Sequence, residues 1–278
     1  MEILDENDIA YLENKAKEVR KKIIETLGKA GSGHPGGSLS ITEIIVLLYE
    51  KVMNVDPSNP RMMDRDRLVL SKGHACPALY VMLAMKGFFP EEDLDTLRKW
   101  GSHLQGHPDM KSTPGIDLSS GSLGQGLSGA CGIALAGKID KKDFWTYCII
   151  GDGETQEGQV WEAAMFAAHY KLDNLIVFLD FNKQQIEGKV EEIIGPLNFA
   201  EKWKAFGWHT QTVNGHSFSE LYAAIVNAKT EKGKPSIIIA NTVKGKGVSF
   251  MEWNLDFHGS APKGNEIKKA IDEIENSS

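Results

Sequence analysis

At 278 residues, 41% of them hydrophobic and 25% charged, the chain has ordinary globular usage. It is long enough to bury most of its apolar surface without disulfide or metal staples. A formal charge of -7 with no clustered basic face argues against nucleic-acid binding. No apolar run approaches the roughly 20 residues that span a bilayer, and the N-terminus, acidic and then helical, has no signal-peptide core. Cys76, Cys131 and Cys148 lie far apart without CxxC spacing. They are expected to be small core hydrophobes in a reducing compartment, the cytoplasm by default.

Apolar positions at helical spacing (Ile9, Leu12, Ala16, Val19, Ile23, Ile24, Leu27) predict a helix over 7–30, ended by the turn Gly31-Ser32-Gly33. Further helices are predicted from Ser40 to Val52, from Ala75 to Lys86, and from Glu91 to Trp100 after Pro90. GSLGQGLSGACGIALAG, 121–137, reads as a small-residue loop becoming a tightly packed helix. Phe144 to Ile150 is an apolar run that stops at Gly151; Asn174 to Leu179 and Ser236 to Ala240 are two more, and Trp208 to Val213 is a weaker one. Helical stretches at Glu157–Tyr170 and Ser217–Thr230 separate them, and a polar helix closes the chain. Strands apolar on both faces, alternating with helices, imply an α/β fold: a parallel sheet with helices on both faces. No repeat or linker divides the chain, so one domain over 1–278 is expected. In such sheets ligands collect beyond the C-terminal strand ends.

Asp152 and Asn182 stand at two such ends. Gly151 and Gly153 flank Asp152 where the chain leaves its strand, before a helix expected near Gln156. Taken alone, Gly-Asp-Gly is a turn with an Asx cap. A second oxygen donor 30 positions later, at the end of the next apolar strand, changes the reading. A carboxylate, an amide oxygen and a backbone carbonyl near Gln184 are hard donors suited to Mg²⁺, whose other ligands are commonly phosphate oxygens and water. The stretch from Gly151 to Gly188 is therefore expected to hold a metal-bound diphosphate.

This GDG…N arrangement resembles the thiamine-diphosphate signature, and GDGETQEGQVWEA resembles transketolase in particular. The resemblance runs from about residue 10 to about residue 265. It is carried by SGHPGGSLS (32–40), LSKGHACPALY (70–80), GHPD (106–109), GSLGQGLSGACGIA (121–134), VNGHSFSEL (213–221), TVKGKGVSFME (242–252) and FHGSAP (257–262), in the family's order. It implies the diphosphate-binding domain of the thiamine-diphosphate fold. Asp152, Asn182 and the backbone of Gln184 then match the ligands of Mg²⁺ (or Ca²⁺ or Mn²⁺), and Gly153 matches a diphosphate contact. Gly121 and Leu123 match the residues that touch the aminopyrimidine, and His74 and His258 match histidines near the diphosphate and thiazolium. His34 and His107 match those lining the substrate channel, where they bind sugar hydroxyls and pass protons. Glu157 matches an acidic residue at the subunit interface.

Among the other histidines, His169 in a helix and His209 in a strand read as structural, and His216 as a turn residue capping the next helix with Ser217. His103 lies four residues before His107, but Gly106 and Pro108 break any helix there, so no zinc pair is expected. KGKG, 244–247, lacks P-loop spacing and reads equally as a mobile active-site loop or a solvated basic loop. The family also has a pyrimidine-binding domain, with an activating glutamate and arginines for the substrate phosphate, and no motif of it follows FHGSAP. The resemblance therefore implies the N-terminal subunit of a split transketolase that acts on sugar phosphates, its partner in an α2β2 assembly being a C-terminal subunit. Rival expectations are a deoxyxylulose-phosphate-synthase-like ketol-transferase or a non-catalytic cofactor-binding subunit. A plain nucleotide-binding α/β protein is less well matched, because GxGxxG is missing after the first strand.

Overall fold

The first helix, α1 (Glu6–Ala30), starts at Asp5, whose carboxylate accepts the Asp8 N–H at 2.8 Å, and ends at Gly31, left-handed at φ 65°. A computed structural model of the chain describes residues 3–195 and 198–277. The helix expected from Ser40 to Val52 begins earlier, at Pro35. It is broken at Ile41 into α2 (Pro35–Ser40) and α3 (Thr42–Leu47), with a π turn over Leu48–Val52. The strand β1 (Arg67–Leu70) has no counterpart among the sequence expectations; four residues led by arginine are too short for a legible period. Next comes α4 (Cys76–Met85). The helix expected over Glu91–Trp100 is only a 3₁₀ turn, Glu91–Thr96, after which Arg98 is left-handed at φ 62°. Its two buried leucines, Leu94 and Leu97, are three apart, which one 3₁₀ turn satisfies.

The remaining elements are α5 (Gln125–Ile139), β2 (Thr146–Gly151), α6 (Gly158–His169), β3 (Leu175–Phe181), the short ladder of β4 (Gln184–Gln185) and β5 (Gly188–Lys189), α7 (Val190–Ile193) and α8 (Phe199–Ala205). They are followed by β6 (His209–Asn214), α9 (Phe218–Thr230), β7 (Ser236–Asn241) and α10 (Asn265–Asn276). A 3₁₀ turn over Gly153–Gln156 precedes α6, so the helix starts two residues beyond the position expected.

The main sheet is five-stranded in the order β1-β2-β3-β7-β6, and every pairing is parallel. Alternate residues of its strands enter two separate cores. Leu68, Tyr147, Ile149, Phe178 and Ile238 pack beneath α1, α3, α4 and α9. Val69, Cys148, Ile150, Val177 and Ile239 pack beneath α5, α6 and α8. Both faces are therefore covered by helices, and the apolar runs are strands buried on both sides. The three cysteines are free and buried, as expected of core hydrophobes. Among the described residues, no helix is long and apolar enough to cross a membrane.

Candidate active site

Parallel register sets Gly151 opposite Asp180, so Asp152 and Asn182 leave adjacent strand tips. One Asp152 carboxylate oxygen accepts the Gly153 N–H at 2.8 Å, and the other accepts the Lys183 N–H at 2.5 Å. The Asn182 amide N–H₂ donates to Asp180 at 2.8 Å, and its oxygen accepts the Gln184 N–H at 3.1 Å. A carboxylate only accepts, so Asp180 determines which end of the Asn182 amide is oxygen.

Asp180 is the hub beneath this wall. It also accepts from Lys72 Nζ at 2.5 Å, from the Ser40 hydroxyl at 2.7 Å, and from the Thr242 hydroxyl. Burial alone would push its carboxyl up; Lys72 and these hydrogen bonds hold it below its ordinary value. Lys72 thus pairs with Asp180, and among the described residues no cation is in ion-pair contact with Asp152. Burial, reinforced by the Asp180 charge, raises Asp152 to about 7. A buried carboxylate in charge deficit beside an amide oxygen and the Gln184 carbonyl fits a divalent cation. Among the described residues no group of three or more His, Cys, Asp or Glu is placed to hold a metal, so any such ion would rely on this mixed oxygen set.

Facing this wall are three imidazoles from three loops. The His34 and His74 ring centroids are 5.2 Å apart, His74 and His258 stack at 5.3 Å, and His34 meets His258 at 5.6 Å. Burial and then neighbouring cations disfavour their charged forms. His34 falls to about 4 (with Arg98 the main cation), His258 to about 3 (with Lys244), and His74 well below its ordinary value (with Lys72). They are neutral at physiological pH, able to offer and accept hydrogen bonds. A Cβ on Gly37 would sit 3.3 Å from both His74 Nε2 and Lys72 Nζ, so any larger residue there would crowd these two side chains.

Between the two walls lies a cavity of about 460 Å³. Its lining includes His34, His74, His258, Asp152, Gly153, Asn182 and Gln184, together with Gly121, Leu123 and Glu157. Leu123 and Glu157 are solvent-exposed at its rim. His107 is exposed and outside the lining, although its ring is 3.0 Å from where a Gly121 Cβ would be. Burial and Arg98 lower His107 as well. His103 pairs with Asp93 at 3.1 Å, away from His107.

Four functional side chains are not assigned by sequence reasoning. Asp180 carries a signal, a carboxylate inside an otherwise apolar strand; Lys72 carries little beyond its place before Gly73-His74. Glu154 accepts from the Ser71 hydroxyl at 2.5 Å, the Gly124 N–H at 2.8 Å and the Gly151 N–H at 3.0 Å, tying the ends of β1 and β2 to the start of α5. Lys244 does not fit the solvated alternative for KGKG, because it is 2% exposed and lines the cavity. Its ammonium lies 2.7 Å from His258 Nδ1 and 3.3 Å from the Gln184 carbonyl, and burial and then Lys72 lower it to about 8. Ser217 caps α9 as expected, with its hydroxyl on the Glu220 N–H. His216 turns the other way and bonds Glu43 and the Val243 N–H.

Residues 12–274 match the family model described as transketolase, thiamine diphosphate binding domain. The chain is 52% identical over 265 residues to the 6-deoxy-6-sulfo-D-fructose transketolase subunit SqwG of a Clostridium strain, covering 95% of this chain and 96% of that protein. It is 41% identical to an apulose-4-phosphate transketolase subunit of Phocaeicola vulgatus, covering 96% and 94%. Transketolase of Homo sapiens is 42% identical over 97% of this chain, which spans 43% of that protein. The solved transketolase of Campylobacter jejuni superposes with a TM-score of 0.90 at 36% identity, covering 97% of this chain and 44% of that one. The chain thus spans under half of the long transketolases and nearly all of the proteins named as subunits, and by the match over residues 12–274 it belongs to the transketolase family as a thiamine-diphosphate-binding domain.

Proposed function

We propose that the chain, as one domain, is the N-terminal subunit of a two-chain transketolase. In this reading it binds thiamine diphosphate through Mg²⁺ and, with a C-terminal subunit carrying the pyrimidine-binding domain, transfers a two-carbon ketol unit from a ketose phosphate to an aldose phosphate. The observation that carries this reading is the opposition of the two walls. Asp152, Asn182 and the Gln184 carbonyl supply hard oxygens for the metal, while Lys244 and the neutral histidines face the space for the anionic end. When bound, the thiazolium ring supplies the carbanion chemistry. The chain's residues bind, orient and move protons: His34 and His107 at substrate hydroxyls, His74 and His258 beside the diphosphate and thiazolium, and Gly121 and Leu123 under the pyrimidine edge. Gly153 leaves room for a phosphate oxygen, and Glu157 lies on the rim where a paired subunit would meet it. The near-complete coverage of two proteins named as subunits supports a separate partner; the assembly in this proposal is α2β2, in the cytoplasm.

A second reading of the donor follows from the relative at 52% identity, whose name specifies 6-deoxy-6-sulfo-D-fructose. A sulfonated ketose in place of a ketose phosphate leaves the reacting carbons unchanged. Purified alone with thiamine diphosphate and Mg²⁺, the chain is expected to be stabilised on heating yet to turn over neither xylulose 5-phosphate nor the sulfonated ketose. Addition of the partner is expected to give turnover, and comparison of the two donors then assigns the substrate. Robust turnover by the chain alone would overturn the two-chain reading.

A further inference from the structure

The turn from Val243 to Gly247, which brings Lys244 to the cavity, is gripped from behind at both ends. His216, between β6 and α9, accepts the Val243 N–H on Nε2 at 2.9 Å. Its proton is therefore on Nδ1, which donates to Glu43 of α3 at 3.0 Å. Arg20 of α1 places one guanidinium nitrogen 2.6 and 2.7 Å from the two Glu43 oxygens, and its Nε donates to the Lys246 carbonyl at 3.1 Å. An N–H at the start of the turn and a C=O near its end are thus held by two arms joined at one carboxylate.

The three side chains are at most 12% exposed, and Arg20 and His216 hold the Glu43 carboxylate at about 2 although burial would raise it. A buried ion pair gives little net stability over an apolar contact of the same shape. What it adds is direction, and here the direction is onto two backbone groups of one turn. The turn itself has no slack: Gly245 is at φ 82°, and a Cβ there would lie 2.4 Å from the Met251 carbonyl. On its far side the Lys244 ammonium stands between His258 and the Gln184 carbonyl.

We propose that Arg20, Glu43 and His216 form a clamp of positioning residues that aims Lys244 at the anionic end of the cofactor without touching it. The clamp's purpose rests on the reading under Proposed function; its existence does not. His216→Asn keeps a donor for Glu43 but falls short of Val243, whereas the longer His216→Gln can still accept that N–H. In calorimetric titration of the full chain with thiamine diphosphate at saturating Mg²⁺, His216→Asn and Lys244→Met are each expected to weaken binding by about tenfold, a charged hydrogen bond's worth. The double variant is expected to bind no worse than Lys244→Met alone, and His216→Gln within about twofold of the parent. In hydrogen exchange, amides of 243–248 are expected to lose protection in His216→Asn while α1 and β3 keep theirs. If His216→Asn does not fold, Arg20→Lys, which keeps the pair with Glu43 but loses the donor to Lys246, carries the same exchange prediction. Additive losses in the double variant, or unchanged exchange over 243–248, overturn the clamp. Failure of the parent chain to bind the cofactor instead overturns the proposed function, and the exchange result still decides the clamp.

Discussion

On the strand-tip wall burial pushes Asp152 up to about 7, whereas across the cavity it pushes His34 down to about 4 and His258 to about 3. The physical cause is the same, loss of water around a charge, and its sign follows the group. Among the described residues no cation is in ion-pair contact with Asp152 on the first wall. The other wall holds Lys244 and three histidines that stay neutral beside it, and the Lys244 ammonium faces no paired carboxylate among those residues. A single neutral ligand satisfies neither wall; a metal ion coordinated by a diphosphate satisfies both. The contrast is also one of construction. The first wall comes from two neighbouring strands in register, and the second from loops that follow α1, β1 and β7.

The most severe way to break the contrast is to remove the charge that wants a metal. Asp152→Asn is expected to weaken Mg²⁺-dependent cofactor binding by on the order of 100-fold or more, since even outer-shell partners of metal ligands contribute roughly 10–100-fold. Titration calorimetry at fixed cofactor reads this directly, and retained affinity would dissolve the two-wall picture. Next in size is the floor beneath both walls. Lys72→Met leaves Asp180 buried and unpaired and is expected to destabilise the chain by about 3 kcal/mol in denaturant melts. Lys72→Met combined with Asp180→Leu should recover much of that loss; if the single and double variants melt alike, Lys72 is not the compensating charge.

The pH dependence of the ligand-free chain separates the walls further. The folded pKa of His34, His74 and His258 lies below the ordinary 6.5, so their contribution is complete above that pH and is lost as pH falls towards about 4 and below. Asp152 has the opposite sign: raised from 3.8 to about 7, it contributes most at low pH, and its contribution is lost as pH rises through 7. Melting temperatures measured from pH 4 to 8 should therefore lose part of the acid-side slope in His258→Asn and part of the alkaline-side slope in Asp152→Asn. Identical profiles for the two variants would show that the walls do not titrate separately. The smallest effect is expected at the rim. Glu157 is exposed, so Glu157→Ala should leave the melt of the isolated chain within about 0.5 kcal/mol. Any larger change should appear only once the partner is added.

The contrast between the walls is also the line between what sequence and structure each contribute. The strand-tip wall is legible because its pattern is local: an apolar run ends and an oxygen side chain follows, twice in succession, the first time within a glycine turn. Apolar strands alternating with helical periods imply a parallel sheet, and a parallel sheet puts such ends together. SGHPGG, SKGH and FHG mark loops with histidines, but periodicity says nothing about which loops meet. Only the packed chain brings His34, His74 and His258 within 5.2 to 5.6 Å of one another.

Tertiary structure alone decided the ionic partners. Lys72 and Asp180 are 108 positions apart, and Arg20, Glu43 and His216 span α1, α3 and the turn after β6. Composition counts Lys244 as one more surface lysine. The turn fixed by Gly245 and the clamp behind it turn that lysine inward, to 2% exposure. Local sequence specified where the backbone had to end a strand or turn sharply, because those constraints act within a few bonds. Which charges face one another was decided by the closing of the two cores, because desolvation and Coulomb forces act through space and ignore chain distance.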